Sequence, residues 1–158
     1  MTVVEKSRNV THATFVIERV YPQNPSRVFH AFADPKAKAK WFHGPADQWS
    51  EETNEMDFRI GGRETSVGHL HRDATPHRFS ALYQDIVPDR RIVFSYDMQI
   101  GEQRISVSLT TIELRPEGQG TRLLFTEQGA YLDGYDDAGA RERGTSELLD
   151  QLGRSLLD

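Results

Sequence analysis

The densest group of side chains able to do chemistry lies between His69 and Asp73, in the order His-Leu-His-Arg-Asp. Side chains of an extended strand alternate between its two faces, so His69, His71 and Asp73 would share one face, with His77 across the next turn. Histidine and carboxylate are ligands that zinc and iron accept. The spacing matches no established metal motif, and Asp73 borders a predicted turn. We therefore interpret these histidines as solvated or pocket-rim residues and predict no metal.

Proton transfer inside a cavity is a second possible chemistry. The residues eligible by type, should burial shift their pKa, are His69, His71, Tyr83, Asp85 and Glu127. No spacing selects among them, and His69, His71 and Asp85 are the first to test. The sequence has no Gly-x-Ser-x-Gly nucleophile motif and no glycine-rich phosphate loop. We therefore expect no cofactor, and a binding protein rather than an enzyme.

Composition is that of one soluble folded domain. The chain has 158 residues, of which 37% are hydrophobic and 27% charged, and its mean hydropathy is −0.62. No apolar run approaches the roughly 20 residues of a membrane span. The first ten residues lack the apolar region of a signal peptide, which favours a cytoplasmic location.

Charge and cysteine content exclude further classes of function. The net charge is −5 and no basic stripe is present, which argues against a nucleic-acid partner. The spacing of Lys36, Lys38 and Lys40 predicts a solvated helix surface. The chain has no cysteine, which excludes disulfides, iron–sulfur clusters, zinc–thiolate sites and thiol nucleophiles.

The elements that would position these residues begin after a flexible lead-in at 1–11, and one domain is predicted over 12–158. The alternation from Thr14 to Val20 predicts a strand. Asn24-Pro25-Ser26 and Asp34-Pro35 each combine a capping side chain with proline at the first helical position, so two short helices follow.

The rest of the chain predicts a meander closed by a helix. Six strands are predicted at about 53–60, 65–72, 79–87, 91–98, 104–114 and 122–128. Short turns between them, one of them at Asp73–Pro76, favour antiparallel neighbours. Leucines at 148, 149, 152 and 156 give helical spacing within Asp136–Leu157. The predicted fold is α+β, a curved antiparallel sheet of about seven strands wrapped around a long C-terminal helix.

Three passages resemble a known family. They are Val28–Pro35 followed by Trp41–Pro45, then Phe58–Arg63 with its double glycine, and then Tyr83–Val93 with its Pro-Asp turn. They are similar to the helix-grip fold of the START and birch-pollen-allergen superfamily, also called SRPBCC. Within it they resemble the branch named after the activator of the heat-shock protein 90 ATPase.

The resemblance implies a cavity between the last helix and the sheet, which would bind a small hydrophobic or amphipathic molecule, with a stress-related role as one option. Strand alternation and the resemblance give these candidate ligand-binding residues: Trp41, Phe42, Phe58, Phe79, Tyr83, Phe94, Tyr96, Met98, Phe125, Leu148 and Leu152. Members of the branch commonly have Gly-Trp where this chain has Gly144-Thr145, so we expect the space under the helix to be larger or differently shaped.

The resemblance leaves two other functions open. One is activation of a heat-shock ATPase, with a chaperone as partner. The other is a cyclase-, dehydratase- or hydrolase-like enzyme acting on a cavity-bound substrate, such as a polyketide. No membrane partner is expected, and the sequence does not choose between a monomer and a homodimer.

Overall fold

One seven-stranded antiparallel sheet forms most of the molecule. In a computed structural model, residues 8–45 and 47–158 are described. The strands are β1 (Val10–Tyr21), β2 (Trp49–Met56), β3 (Arg63–Leu70), β4 (Asp73–Val87), β5 (Arg91–Ile100), β6 (Gln103–Glu117) and β7 (Gly120–Leu132). Their order across the sheet is β1-β7-β6-β5-β4-β3-β2. Consecutive strands are neighbours from β2 to β7, and β1 joins the far edge beside β7.

Tight turns hold this meander together. Gly101 lies between β5 and β6 with a φ of +60°, and Gly118 lies between β6 and β7 with a φ of +58°. This left-handed conformation is readily adopted by glycine, which has no Cβ to clash with the backbone.

Three helices complete the fold: α1 (Pro25–Ala33), α2 (Pro35–Ala39) and α3 (Ala138–Ser155). Each begins at a capping side chain that accepts a hydrogen bond from a backbone N–H of the first turn. Asn24 accepts from Arg27 at 2.9 Å, Asp34 from Ala37 at 2.9 Å, and Asp137 from Ala140 at 2.8 Å.

The core lies between α3 and the concave face of the sheet. Leu149 and Leu152 of α3, with Leu156 directly after it, are buried there with aromatic and aliphatic side chains of β1, β4, β5 and β7. The Tyr21 hydroxyl donates to the backbone oxygen of Leu149 at 2.7 Å, which ties α3 to β1. The predicted helix-grip arrangement is confirmed.

Several boundaries differ from the sequence prediction. β1 begins at Val10, so two residues of the predicted lead-in belong to the sheet, while 1–7 lie outside the described residues. β2 ends at Met56, and the alternating Phe58 and Ile60 belong to the connection before β3. The predicted turn at Asp73 is wrong, because β4 begins there and pairs with β3 from Leu70 onward. No helix of the described part is long and apolar enough to cross a membrane.

Candidate ligand cavity

A cavity of about 440 Å³ opens between α3, the α2–β2 connection and the sheet. Its volume falls within the range of roughly 300–1,000 Å³ that is typical of small-molecule sites. Eight of the predicted ligand-binding residues form its wall: Trp41, Phe42, Phe79, Phe94, Tyr96, Met98, Phe125 and Leu148. Phe58, Tyr83 and Leu152 lie outside that wall, in the surrounding core.

Aromatic rings form the continuous apolar part of the wall. The ring centroid of Phe79 lies 5.0 Å from that of Phe42, 6.2 Å from that of Phe94 and 5.0 Å from that of Tyr96. Edge-to-face and tilted contacts of this kind fix the rings against one another. The cavity therefore has a preformed aromatic side.

The inner face where β6 meets β7 is polar. We call Ser106, Ser108, Thr110, Glu127 and Tyr131 the polar strip, and each is at most 4% exposed. The strand register places Thr110 opposite Glu127, and Ser106 opposite Tyr131. A buried polar strip beside an aromatic wall can orient an amphipathic molecule.

Glu127 is the member of the strip that lines the cavity. Its Oε1 accepts hydrogen bonds from the Tyr96 hydroxyl at 2.9 Å and from the Thr110 hydroxyl at 3.0 Å. Burial raises the pKa of the Glu127 carboxyl, against the lowering effect of these hydrogen bonds and of the nearby Arg141 charge. The carboxyl group is therefore held ready for protonation inside the cavity.

Arg141 brings a positive charge to the strip from the first turn of α3. Its guanidinium donates to the Tyr96 hydroxyl at 2.9 Å, to Ser106 Oγ at 2.8 Å and to Asp136 Oδ2 at 2.8 Å. Its Nη1 lies 3.9 Å from Glu127 Oε2, beyond hydrogen-bond distance. Arg141 therefore orients the tyrosine rather than directly capping the glutamate.

A second buried ionic group lies at the opposite side of the cavity. The Lys38 ammonium donates to Glu64 Oε1 at 2.7 Å and lies 4.4 Å from the Phe42 ring centroid. The Tyr83 hydroxyl donates to the same Glu64 oxygen. The sequence prediction of a solvated Lys38 is wrong: this side chain is 7% exposed, because α2 turns it toward β3.

Trp49 lies at the cavity mouth, held between two glycines. An added Cβ at Gly44 would lie 2.6 Å from Trp49 Cδ2, and one at Gly68 would overlap the other side of the indole. The Trp49 ring meets His77 edge to face at 5.3 Å. Burial lowers the pKa of His77, more than Asp73 raises it, so the neutral imidazole is favoured at the mouth.

Of the five residues predicted as eligible for proton transfer, Glu127 lines the cavity, while His69, His71, Tyr83 and Asp85 lie apart from its wall. His69 accepts or donates a hydrogen bond with Glu52 at 2.8 Å, His71 is exposed, and Asp85 accepts from Arg91 at 2.6 Å. Among residues 8–45 and 47–158, no three histidine or acidic side chains come together as metal ligands.

The wall also contains residues that the sequence analysis did not select as site residues. The polar ones used below are Lys38, Trp49, His77, Glu127 and Arg141. The sequence marks Glu127 only as eligible by type for proton transfer, and its position two residues after the inward-facing Phe125 on one strand also indicates the inner face. Arg141 gave no comparable signal, because a lone arginine near a helix start is normally solvated.

Comparison with known proteins now places the chain. Residues 22–156 match the family described as "Activator of Hsp90 ATPase homolog 1-like protein". The chain belongs to this family. No curated protein matches it with significance, so family membership supplies a fold and a kind of cavity but no specific activity.

Solved structures agree with this assignment. A protein from Rhizobium leguminosarum is 44% identical, with a TM-score of 0.89 over 95% of this chain and 97% of its own. The Mll3558 protein from Rhizobium loti is 51% identical, with a TM-score of 0.84 over 93% of this chain and 99% of its own. The CV1439 protein from Chromobacterium violaceum is 28% identical, with a TM-score of 0.76, and covers 90% of this chain and 96% of its own.

The family comparison makes the Gly144-Thr145 pair informative. Both residues line the cavity. Thr145 is 8% exposed, and apart from the two neighbouring residues and the backbone of α3 itself, no described atom lies within 4 Å of a Cβ added at Gly144. A tryptophan at position 145 would extend into the space that this chain leaves open.

Proposed function

We propose that this protein binds one small amphipathic molecule in the cavity between α3 and the sheet. The observation that carries the proposal is a cavity of about 440 Å³ whose wall combines an aromatic side with Glu127, one member of the buried polar strip. Aromatic rings contribute apolar contact area, while a few fixed polar groups orient the bound molecule. Tyr96 belongs to both surfaces, since its ring packs on Phe79 and its hydroxyl donates to Glu127.

Thermal unfolding with a panel of fatty acids, fatty alcohols and two-ring aromatic compounds tests the proposal. A compound present at 100 times its Kd stabilises the folded protein by about 2.7 kcal/mol, which raises the Tm of a domain of this size by roughly 5–10 °C. We expect at least one class in the panel to do so, with isothermal titration giving the Kd.

Two tryptophan substitutions on α3 localise the binding. Thr145→Trp places an indole in the cavity and should weaken binding at least tenfold, because a bound molecule would have to displace it. Glu142→Trp places the same side chain at an exposed position of the same helix and should bind like the wild type. Absence of a shift across the whole panel, or equal binding by Thr145→Trp, would contradict the proposal.

A further inference from the structure

In the polar strip, β6 buries hydroxyl side chains and exposes aliphatic ones, which is the reverse of the usual arrangement of a strand. Along β6, Ser106 and Ser108 point into the core and are at most 4% exposed, while Val107 and Leu109 point outward and are 45% and 39% exposed. Burying hydroxyl groups while exposing neighbouring aliphatic side chains costs stability unless the hydroxyls serve a purpose. The strip therefore indicates a built polar site rather than ordinary core.

The strip keeps unused hydrogen-bonding capacity. Within the described residues, Glu127 Oε2, Ser108 Oγ and Tyr131 OH are buried without a hydrogen-bond partner. Ser108 on β6 lies opposite Gly129, the inward position between Glu127 and Tyr131 on β7. Buried polar atoms are normally paired, so several unused ones in one place point to a partner from outside the chain.

The donors around Glu127 determine which of its two carboxyl oxygens can still accept a hydrogen bond. Arg141 donates to the Tyr96 hydroxyl, which must then donate its own hydrogen to Glu127 Oε1, and Thr110 donates to the same oxygen. The second oxygen, Oε2, receives no hydrogen bond from the described residues. A carboxylate accepts from a hydroxyl group and cannot donate to an ether oxygen.

The other buried carboxylate does not compete for this role. Glu64 lies outside the cavity wall, so its unpartnered Oε2 does not belong to a cavity residue, and its Oε1 is occupied by Lys38 and Tyr83. Lys38 itself reaches the cavity, but its charge is balanced by Glu64 at 2.7 Å. Of the two carboxylates, only Glu127 belongs to the cavity wall, and its Oε2 has no hydrogen-bond partner among the described residues.

We propose that Glu127 Oε2 accepts a hydrogen bond from a hydroxyl group of the bound molecule, so that the cavity selects an aromatic or aliphatic alcohol, such as a phenol, over the matching ether. This inference rests on the proposed function. The apolar body of the molecule lies against Phe79 and Phe94, and its hydroxyl reaches the polar strip.

Two probes of similar shape test the hydroxyl selectivity. 2-Naphthol can donate a hydrogen bond, whereas 2-methoxynaphthalene can only accept one. At about pH 8, well above the ordinary pKa of a glutamate carboxyl, the wild type should bind the naphthol roughly ten- to a hundredfold more tightly than the ether, since hydrogen bonds to charged groups contribute that much. Isothermal titration gives both Kd values.

Glu127→Gln should remove this preference, with the two Kd values agreeing within about twofold, because the amide can donate to either oxygen. Glu64→Gln is the matched control, a second buried carboxylate outside the wall, and should keep the wild-type ratio. Thermal unfolding of both variants establishes that they are folded at the temperature of the titration.

The outcomes separate this inference from the proposed function. Equal binding of naphthol and ether by the wild type would overturn the role of Glu127 and leave the ligand cavity standing. A naphthol preference that survives in Glu127→Gln, or is lost equally in Glu64→Gln, would also overturn it. Failure of both probes and of the whole panel to bind would overturn both proposals.

Discussion

Glu127 shows how one side chain can be held away from its ordinary protonation behaviour. Its side chain is 1% exposed, and burial raises its pKa above the ordinary value of 4.5. The groups that face it are Tyr96 from β5, Thr110 from β6 and Arg141 with Asp136 from the start of α3. The folded state therefore binds the Glu127 proton more tightly than the unfolded state does.

This linkage gives a pH prediction at the residue scale. A carboxyl whose pKa is raised on folding stabilises the protein at low pH, and this contribution is lost as the pH rises through the folded pKa. The free energy of unfolding of the wild type should therefore fall, relative to Glu127→Gln, from about pH 4 upward, by about 1.4 kcal/mol per unit of pKa shift. Urea titrations of both proteins across pH 4–8 measure the difference.

A control separates this effect from the loss of one negative charge. Glu102→Gln removes an exposed carboxylate in the β5–β6 turn. Its free energy of unfolding should follow that of the wild type across the same pH range. A wild-type stability that stays constant or rises relative to Glu127→Gln would contradict the prediction.

The Lys38–Glu64 pair gives a second prediction at this scale. Lys38→Met should lower the free energy of unfolding by about 3–5 kcal/mol, because it leaves the buried Glu64 carboxylate without its cation. The double variant Lys38→Met/Glu64→Leu should be more stable than Lys38→Met alone, since the uncompensated charge is gone. Denaturant unfolding of a double-mutant cycle measures this coupling.

The exposed Arg59–Asp57 pair provides the comparison, with side chains 69% and 54% exposed. Arg59→Met should change the free energy of unfolding by at most about 1 kcal/mol, because surface ion pairs contribute little. Strictly additive effects in the Lys38–Glu64 cycle would show that the pair is not coupled.

Residue-scale features were the hardest to predict from sequence. Alternation correctly placed aromatic residues such as Phe79 and Phe94 on the inner face. The same rule favours Val107 and Leu109 as core residues over the serines beside them, and the structure has the opposite arrangement. Lys38 was taken for a surface lysine because its partner Glu64 comes from a distant part of the chain.

At the scale of elements, α3 has a position where the sequence is not optimal for a helix. Gly144 lies in mid-helix, and apart from the two neighbouring residues and the backbone of α3 itself, no described atom is within 4 Å of a Cβ built there. Gly144→Ala should raise the free energy of unfolding by about 0.5–1 kcal/mol, because alanine loses less backbone entropy on folding. Denaturant unfolding monitored by circular dichroism measures the change.

Gly153 on the same helix is the matched control. A Cβ there would lie 3.1 Å from Tyr21 Cε1, and the Tyr21 hydroxyl already donates to the Leu149 backbone. Gly153→Ala should therefore gain less than Gly144→Ala, or lose stability. The reverse order of the two variants would contradict the arrangement of α3 over the sheet.

Element types followed from local signals, while several boundaries did not. Proline after a capping residue marks the starts of α1 and α2 correctly, because the cap and the fixed φ act within one turn. Asp73 carries a turn signal in isolation, yet it begins β4, because pairing with β3 supplies its backbone partners. Pairing between strands is not encoded in the local residue types.

At the scale of the whole molecule, the cavity joins elements that are distant in sequence. Its wall combines α3 with β4, β5 and the α2–β2 connection. A bound 2-naphthol at 100 times its Kd should slow hydrogen exchange of the α3 amides up to about a hundredfold, where exchange requires the ligand to leave. The amides of β2 beyond Glu51, at the far edge of the sheet, should change least, because they can exchange by local opening.

Mass spectrometry of exchanged peptides checks this prediction, with Thr145→Trp as the variant in which the same ligand concentration should slow exchange at least about tenfold less. Protection spread evenly over the chain would show that the ligand acts through global stability alone.

The architecture itself was predictable from sequence, because strand alternation, short turns and a final apolar helix all favour one α+β arrangement. The polar half of the cavity was not, since it depends on the register between β6 and β7.

The cavity wall also contains the side chains that determine the intrinsic fluorescence of the protein. Both tryptophans of the chain, Trp41 and Trp49, belong to that wall. Trp41 is buried and donates to the Ala31 backbone oxygen at 2.9 Å, while the half-buried Trp49 donates to Glu51 at 3.1 Å. A molecule that enters the cavity changes the surroundings of both indoles. The tryptophan fluorescence of the unlabelled protein should therefore report whether the cavity is occupied. The Trp49→Phe variant isolates the signal of Trp41.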